Sequence, residues 1–136
     1  MIYGGADGLT CAMGIVAGLS VTHQAPAAIW AAALSAGIAE FPGMASGQYQ
    51  SAPQDGKTAA LVTGAASTAG AVIPAVPFLF TSGMLAVVLS VALACVMCAG
   101  IAWLRPEAGW RAWAQSYGIT AAAVGLCLAA GTILPP

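Results

Sequence analysis

The sequence predicts an all-α integral membrane protein with five transmembrane helices. Of its 136 residues, 60% are hydrophobic and 5% are charged, whereas a soluble domain carries roughly 25% charged residues. Five apolar runs of spanning length are separated by turns rich in Pro, Gly and polar residues. They cover residues 6–22, 27–49, 58–80, 84–104 and 112–134. Because the turns are short, we expect a single transmembrane domain over residues 1–136.

The charged residues predict an orientation and exclude one class of partner. Lys57, Arg105 and Arg111 are the basic residues of the sequence, and all three fall on the side of the N-terminus. Because basic residues favour the cytoplasmic side, we expect a cytoplasmic N-terminus and a C-terminus that is outside or lumenal. A net charge of −1 does not provide the positive surface that nucleic-acid binding requires. The expected partner is the lipid bilayer and not a nucleic acid.

Two acids lie inside apolar runs that contain no basic residue. Asp7 is in the first run, and Glu40 is near the middle of the second. A carboxylate in hydrocarbon costs several kcal/mol unless it is paired, hydrated or protonated, so such acids are functional candidates. Two acids without a base favour a cation or a proton, which predicts a proton-coupled cation site. Asp7 has an alternative interpretation as the N-cap of the first helix at the membrane interface.

Glu40, Met44 and Gln48 are spaced at i, i+4 and i+8, which places them on one helix face. A carboxylate, a thioether and an amide oxygen combine hard and soft donors. Such a set suits iron(II) or manganese(II) better than magnesium or calcium. A methionine at helical spacing is also a common packing residue. Pro42 and Gly43 are expected to open the helix and to free backbone carbonyls beside these side chains.

Small residues and prolines predict how the helices pack and end. Gly14-x-x-x-Gly18 in the first run is a close-approach pattern, although a Gly-rich and Ala-rich span also yields it by chance. We expect it to pack two first helices together in a homodimer. Pro74 and Pro77 should kink or end the third helix near the outer face.

Cysteine and histidine give weaker signals. Cys95 and Cys98 form a C-x-x-C pattern within an apolar run, where the thiols can pack, bind metal or perform redox chemistry. Packing is the expected role, because free cysteine inside an apolar stretch behaves as a small hydrophobe. His23 lies in a turn, as a solvated residue or as a metal contact on the outer side.

Motifs in three consecutive runs resemble those of the vacuolar iron transporter family, including its nodulin-like members. They are Asp7-Gly8-Leu9 and Val16-Ala17-Gly18, then Met44-Ala45-x-Gly47-x-Tyr49-x-Ser51, then Gly70-x-x-Ile73-Pro74-x-x-Pro77-Phe78. The resemblance implies a dimeric cation/proton antiporter whose pathway runs between the first helices of two subunits. It also implies that the pathway is lined by Asp7 and Met44.

The sequence differs from that family at two places. Gln48 stands where the family usually has Glu, and Glu40 stands where it usually has a small residue, as though one acid had moved along the same helix face. The short loop from Gln50 to Gly56 replaces a Glu-rich cytoplasmic insert, which nodulin-like members also lack.

The function expected from these observations is export of iron(II) or manganese(II) from the cytoplasm, coupled to proton antiport. The expected protein is not an enzyme and holds no permanently bound cofactor, since the metal is its cargo. One alternative is a relative that has lost transport and serves as a structural subunit of a membrane complex, which the Gln48 substitution favours. Another is a membrane thiol oxidoreductase that uses Cys95 and Cys98, for which the sequence carries no cofactor signature.

Overall fold

The computed structural model describes residues 2–104 and 109–133, and this part of the chain is helical apart from short turns. Five helices are long and apolar enough to cross a membrane, so the chain is a multi-pass integral membrane protein, as predicted. The α-helices are α1 Ile2–Val21, α2 Pro26–Ser51, α3 Gly56–Val72, α4 Gly83–Trp103 and α5 Trp110–Ile133. Short 3-10 helices precede and follow α3, over Pro53–Asp55 and Ile73–Leu79.

The first helix begins earlier than the hydropathy of the sequence indicates. It starts at Ile2, whereas the predicted span starts at residue 6. Asp7 therefore lies inside α1, and the interpretation of Asp7 as a helix N-cap is wrong. The glycines and polar residues of this first turn lower its hydropathy without preventing a helix, because the turn packs against α3.

The centre of the bundle is α1, which contacts each of the other four helices. The buried side chains of α1 belong to two apolar clusters. One consists of Leu9, Met13, Ala94 and Cys98, and the other of Val16, Ile29, Phe78 and Ala86. Every other helix is therefore positioned relative to α1, and so are the residues that α1 carries.

The closest helix contact joins α1 to α3 through glycine. A Cβ atom at Gly8 would overlap the backbone carbonyl oxygen of Ser67, and one at Gly4 would overlap that of Thr63. From the other side, a Cβ at Gly70 would lie 2.5 Å from the carbonyl oxygen of Gly5. Small residues at i and i+4 thus bring two backbones together, as is typical of helix pairs in lipid.

The third helix changes character at its two prolines. The α-helix ends at Val72, and the chain continues as a 3-10 helix that contains Pro74 and Pro77. Proline has no amide hydrogen and clashes with the preceding helical turn, which explains the change. The buried Ser90 hydroxyl of α4 donates a hydrogen bond to the Pro74 carbonyl oxygen. This contact attaches the end of the third span to α4.

The second helix is continuous through Pro42, so the expectation that Pro42 and Gly43 open it is wrong. Proline removes the amide hydrogen that would bond to the carbonyl of Ile38, but the helix on both sides keeps its own hydrogen bonds. Packing against α3 also holds it, since Thr68 Oγ1 donates a 2.8 Å hydrogen bond to the Gly37 carbonyl oxygen.

The polar ends of the bundle differ in charge. Because consecutive spans cross the bilayer in opposite directions, the start of α1, the α2–α3 loop and the start of α5 share one end. Asp55, Lys57 and Arg111 lie at that end, whereas Arg105 lies outside the described residues. Trp103 and Trp110 are 81% and 76% exposed at the same end, as interfacial tryptophans are. That this end faces the cytoplasm stays a prediction.

Candidate functional site

The two intramembrane acids belong to one site. Asp7 lies in the second turn of α1, and Glu40 lies in the neighbouring helix α2. Glu40 is partly buried, whereas Asp7 is exposed on the surface of the single chain, and the charge of Glu40 acts on Asp7. The described basic residues, Lys57 and Arg111, belong to the first turns of α3 and α5 at the end of the bundle. The packing of α1 against α2 therefore creates a concentrated negative charge within the membrane.

Two small polar side chains hold the Glu40 carboxylate in place. Ser67 of α3 is fully buried, and its Oγ donates a hydrogen bond of 2.6 Å to Glu40 Oε2. The thiol of Cys11, one turn after Asp7 on α1, lies beside Glu40. Since these neighbours come from two different helices, tertiary packing positions the carboxylate.

Sequence reasoning missed Ser67 and Cys11, although each had a weak signal. Cys11 follows Asp7 at i+4, so the two side chains share a face of α1. Ser67 follows Thr63 at i+4 on a face of α3 that is otherwise formed by glycine and alanine. A hydroxyl on such a face can bond its own backbone, as Thr63 does to the Ala59 carbonyl oxygen. The contact with another helix is not visible in the spacing alone.

Met44 and Asp7 line the same cavity. The cavity has a volume of about 400 Å³, and Asp7, Thr10 and Met44 contribute to its lining. Met44 follows Glu40 by one helical turn, and both are turned toward α1. Glu40 and Met44 therefore share one face of α2, as the sequence predicts. This face brings the thioether of Met44 to the site of the acids.

Gln48, the third residue of the predicted α2 face, has a different neighbour. Its Nε2 donates a hydrogen bond of 3.1 Å to Asp55 Oδ2 in the α2–α3 loop, at the exposed end of the bundle. The described structure does not include Gln48 in the lining of the Asp7 cavity. A role for Gln48 in metal binding stays a prediction, and its observed contact is with the loop acid.

A second cavity extends the first along α1. It has a volume of about 810 Å³, shares Asp7 and Thr10 with the first, and reaches Thr22 near the other end of the helix. Gly14 and Gly18 of α1 line this cavity, together with Ala32 of α2 and several residues of α5. We call the two cavities together the α1 groove. It passes nearly the whole length of the first helix.

Within one chain, the glycine pair of the α1 groove also faces α5. A Cβ atom at Gly14 would lie 2.9 Å from Cys127 Sγ, and one at Gly131 would lie 3.2 Å from the Gly18 carbonyl oxygen. The close approach that the sequence indicates at Gly14 and Gly18 therefore exists inside the subunit. Whether the same glycines also meet a second subunit is a separate prediction.

The described residues do not form a complete metal site by themselves. They contain no group of three or more His, Cys, Asp and Glu side chains arranged to hold a metal ion. Asp7, Glu40 and Met44 can supply two carboxylates and a thioether. A divalent ion at this place would need further donors from water, from other side chains of the groove or from a second copy of the chain.

Comparison with known proteins identifies the part of the chain that carries this site. A model of the VIT family matches residues 1–58, which include α1, α2 and the start of α3 and therefore Asp7, Glu40 and Met44. Comparisons with curated proteins and with solved structures found no match. Over residues 1–58 this chain thus matches the VIT family, that of the vacuolar iron transporters, which is the family that its motifs resemble.

Proposed function

We propose that this protein carries a divalent transition metal ion, iron(II) or manganese(II), out of the cytoplasm in exchange for protons. The observation that supports this most is the pair Asp7 and Glu40, two acids that share one site inside the membrane beside Met44. The match to the VIT family supports metal ion transport. Members of that family are transporters and not enzymes, which agrees with a site that is built to bind and release an ion.

Proton exchange follows from the charge of the site. Two carboxylates whose charges act on each other in a medium of low dielectric repel, so the empty site is stabilised when it takes up protons or a cation. A divalent ion that binds both acids displaces those protons, and protons that return from the other side displace the ion. The same two groups therefore bind alternately metal and protons, which is the requirement for antiport.

Metal preference is assigned to the thioether of Met44. Carboxylate oxygens alone discriminate less against magnesium and calcium, whereas a sulfur donor favours the softer ions. Met44 lines the same cavity as Asp7, so it can contact an ion that the acids hold. Ser67 keeps Glu40 oriented while the cargo changes.

Transport can be tested by reconstituting the chain into liposomes with a pH gradient and an internal pH dye. We expect iron(II), manganese(II) and cobalt(II) to enter, each with proton movement in the opposite direction, and magnesium to remain outside. Met44→Leu should reduce iron(II) uptake by about tenfold and manganese(II) uptake less, because manganese is the harder ion. If no metal moves protons in the parent, the transport proposal fails and the structural-subunit alternative replaces it.

We also propose that the protein works as a homodimer with the first helices at the interface. The α1 groove leaves the ion donors of one chain incomplete and leaves the small residue Gly18 partly exposed, which allows a second helix to approach closely. Gly18→Leu should reduce the dimer fraction in mild detergent, because the larger side chain would occupy the groove. Within the subunit, a Cβ at Gly18 would meet only the Cys127 carbonyl oxygen, at 3.8 Å. Light scattering after size-exclusion chromatography measures the fraction.

Gly43→Leu is the matched control for the dimer experiment, since no described atom lies within 4 Å of a Cβ at Gly43. It adds the same volume to a transmembrane helix outside the groove and should leave the dimer unchanged. A parent protein that is monomeric in every mild detergent and in lipid nanodiscs would contradict the dimer.

A further inference from the structure

The cavity beside Asp7 has an opposite wall that lies outside the family match. Cys98 of α4 and Ser116 and Thr120 of α5 contribute to the same lining as Asp7 and Met44. These three residues, called here the α4–α5 wall, all follow residue 58, where the match ends. Each carries a donor atom of a kind that metal ions bind, one thiol and two hydroxyls.

The cysteine of this wall is separated from its partner in the C-x-x-C pattern. Cys98 is only 2% exposed and faces the cavity, whereas Cys95 is exposed on the outside of the bundle. Cys98 Sγ lies 3.6 Å from Thr120 Oγ1 and 3.9 Å from the Ser116 carbonyl oxygen. The Cys98 thiol therefore lies inside the helix bundle beside the Thr120 hydroxyl, whereas the Cys95 thiol lies on the outer surface, toward lipid.

The serine of the wall indicates that something polar enters the cavity. Ser116 is 7% exposed, and its Oγ is buried without a hydrogen-bond partner in the described part of the chain. A buried hydroxyl without a partner costs about 1–3 kcal/mol, and most such groups in native proteins bond to something. Because Ser116 lines the cavity of Asp7, a water molecule or ion in that cavity is positioned to satisfy it.

We propose that the α4–α5 wall is a specificity-determining part of the cation path, at which Cys98, Ser116 and Thr120 contact a divalent ion or its remaining water opposite Asp7. This inference rests on the proposed transport function. The wall adds a second sulfur to the cavity that Met44 lines, so it favours ions with affinity for sulfur over magnesium and calcium. The hydroxyls of Ser116 and Thr120 replace some of the water ligands that the ion loses when it enters the cavity.

Alkylation of the parent protein in liposomes tests the binding step without mutation. N-ethylmaleimide modifies Cys95 and Cys98 at rates that peptide mass spectrometry can follow separately. We expect cadmium(II), a probe ion with high sulfur affinity, to slow the modification of Cys98 about tenfold or more and to leave Cys95 unchanged. Magnesium should protect neither. If cadmium(II) protects neither thiol, or both equally, the α4–α5 wall is not an ion-binding surface.

Substitution then tests specificity. Cys98→Ser keeps the size of the side chain but replaces sulfur with the harder oxygen, so cadmium(II) and iron(II) uptake should fall about tenfold relative to manganese(II). Cys95→Ser is the matched control on the same helix and should not change the ratio. Ser116→Ala should lower the uptake of every divalent ion, because it removes an oxygen ligand without changing the sulfur.

The outcomes separate this inference from the transport proposal. A parent that moves no metal contradicts the transport proposal, whereas cadmium(II) protection of Cys98 would still support the wall as a binding surface. A parent that transports metal while Cys98→Ser keeps the ion preference of the parent, and Ser116→Ala its rate, contradicts the wall alone.

Discussion

Asp7→Asn and Glu40→Gln should each abolish metal-driven proton movement in liposomes, which is the largest functional effect that we expect from single substitutions. An amide has nearly the shape of the carboxylate, but it can neither carry the exchanged proton nor offset the charge of the ion. The two acids share one site, so the loss of either leaves a single carboxylate for a divalent ion. The measurement is the initial rate of the internal pH change after metal is added.

Asp55→Asn is the control for these substitutions. It makes the same chemical change in an acid of the α2–α3 loop, where water solvates the side chain, and should retain most of the parent rate. If Glu40→Gln transports as well as the parent while Asp7→Asn is inactive, then Glu40 is not part of the coupling site. Its hydrogen bond from Ser67 would in that case be structural.

Gly8→Ala should cause the largest loss of stability of any single methyl group added to the chain. The new Cβ would overlap the Ser67 carbonyl oxygen and would lie 2.9 Å from the backbone nitrogen of Ala71. Both neighbours are backbone atoms, so no rotamer change can relieve the contact and the helices must separate. Overpacking of this kind costs about 1–3 kcal/mol or more, which exceeds the gain of about 1 kcal/mol in helix propensity.

Gly47→Ala provides the matched control, because no described atom lies within 4 Å of its Cβ position. Thermal unfolding in detergent, followed by tryptophan fluorescence, should show a lower Tm for Gly8→Ala and an unchanged or slightly higher Tm for Gly47→Ala. Equal Tm values for the two variants would show that the backbones of α1 and α3 are not in contact at Gly8.

The number and order of the spans could be predicted from sequence because length and apolar composition alone determine them. The pairing of the helices could not. Gly4-x-x-x-Gly8 and Gly14-x-x-x-Gly18 have the same spacing on the same helix, yet the first pair contacts α3 and the second lies in the α1 groove. Spacing shows where a backbone can be approached, but the neighbour that approaches depends on the whole packing arrangement.

The candidate site was predictable to the extent that it is charged. Asp7 and Glu40 are conspicuous because carboxylates are rare in hydrocarbon, and Met44 follows from its spacing to Glu40. Ser67, Cys11 and Ser116 could not be selected in the same way. Small hydroxyls and thiols are common in membrane helices and usually bond to their own backbone, so their roles depend on contacts between helices.

Ser67 occupies two interfaces at once, and this gives the α1–α3 contact a mechanical consequence. Its carbonyl oxygen lies against Gly8, while its hydroxyl bonds to Glu40. The two surfaces that meet there consist largely of backbone, glycine and small side chains, so a shear of α1 along α3 requires no rotamer to change. Where such a displacement of α1 shifts the Ser67 backbone of α3, the Ser67 hydroxyl moves relative to Glu40 of α2, and the position of α1 is thereby transmitted to the acid.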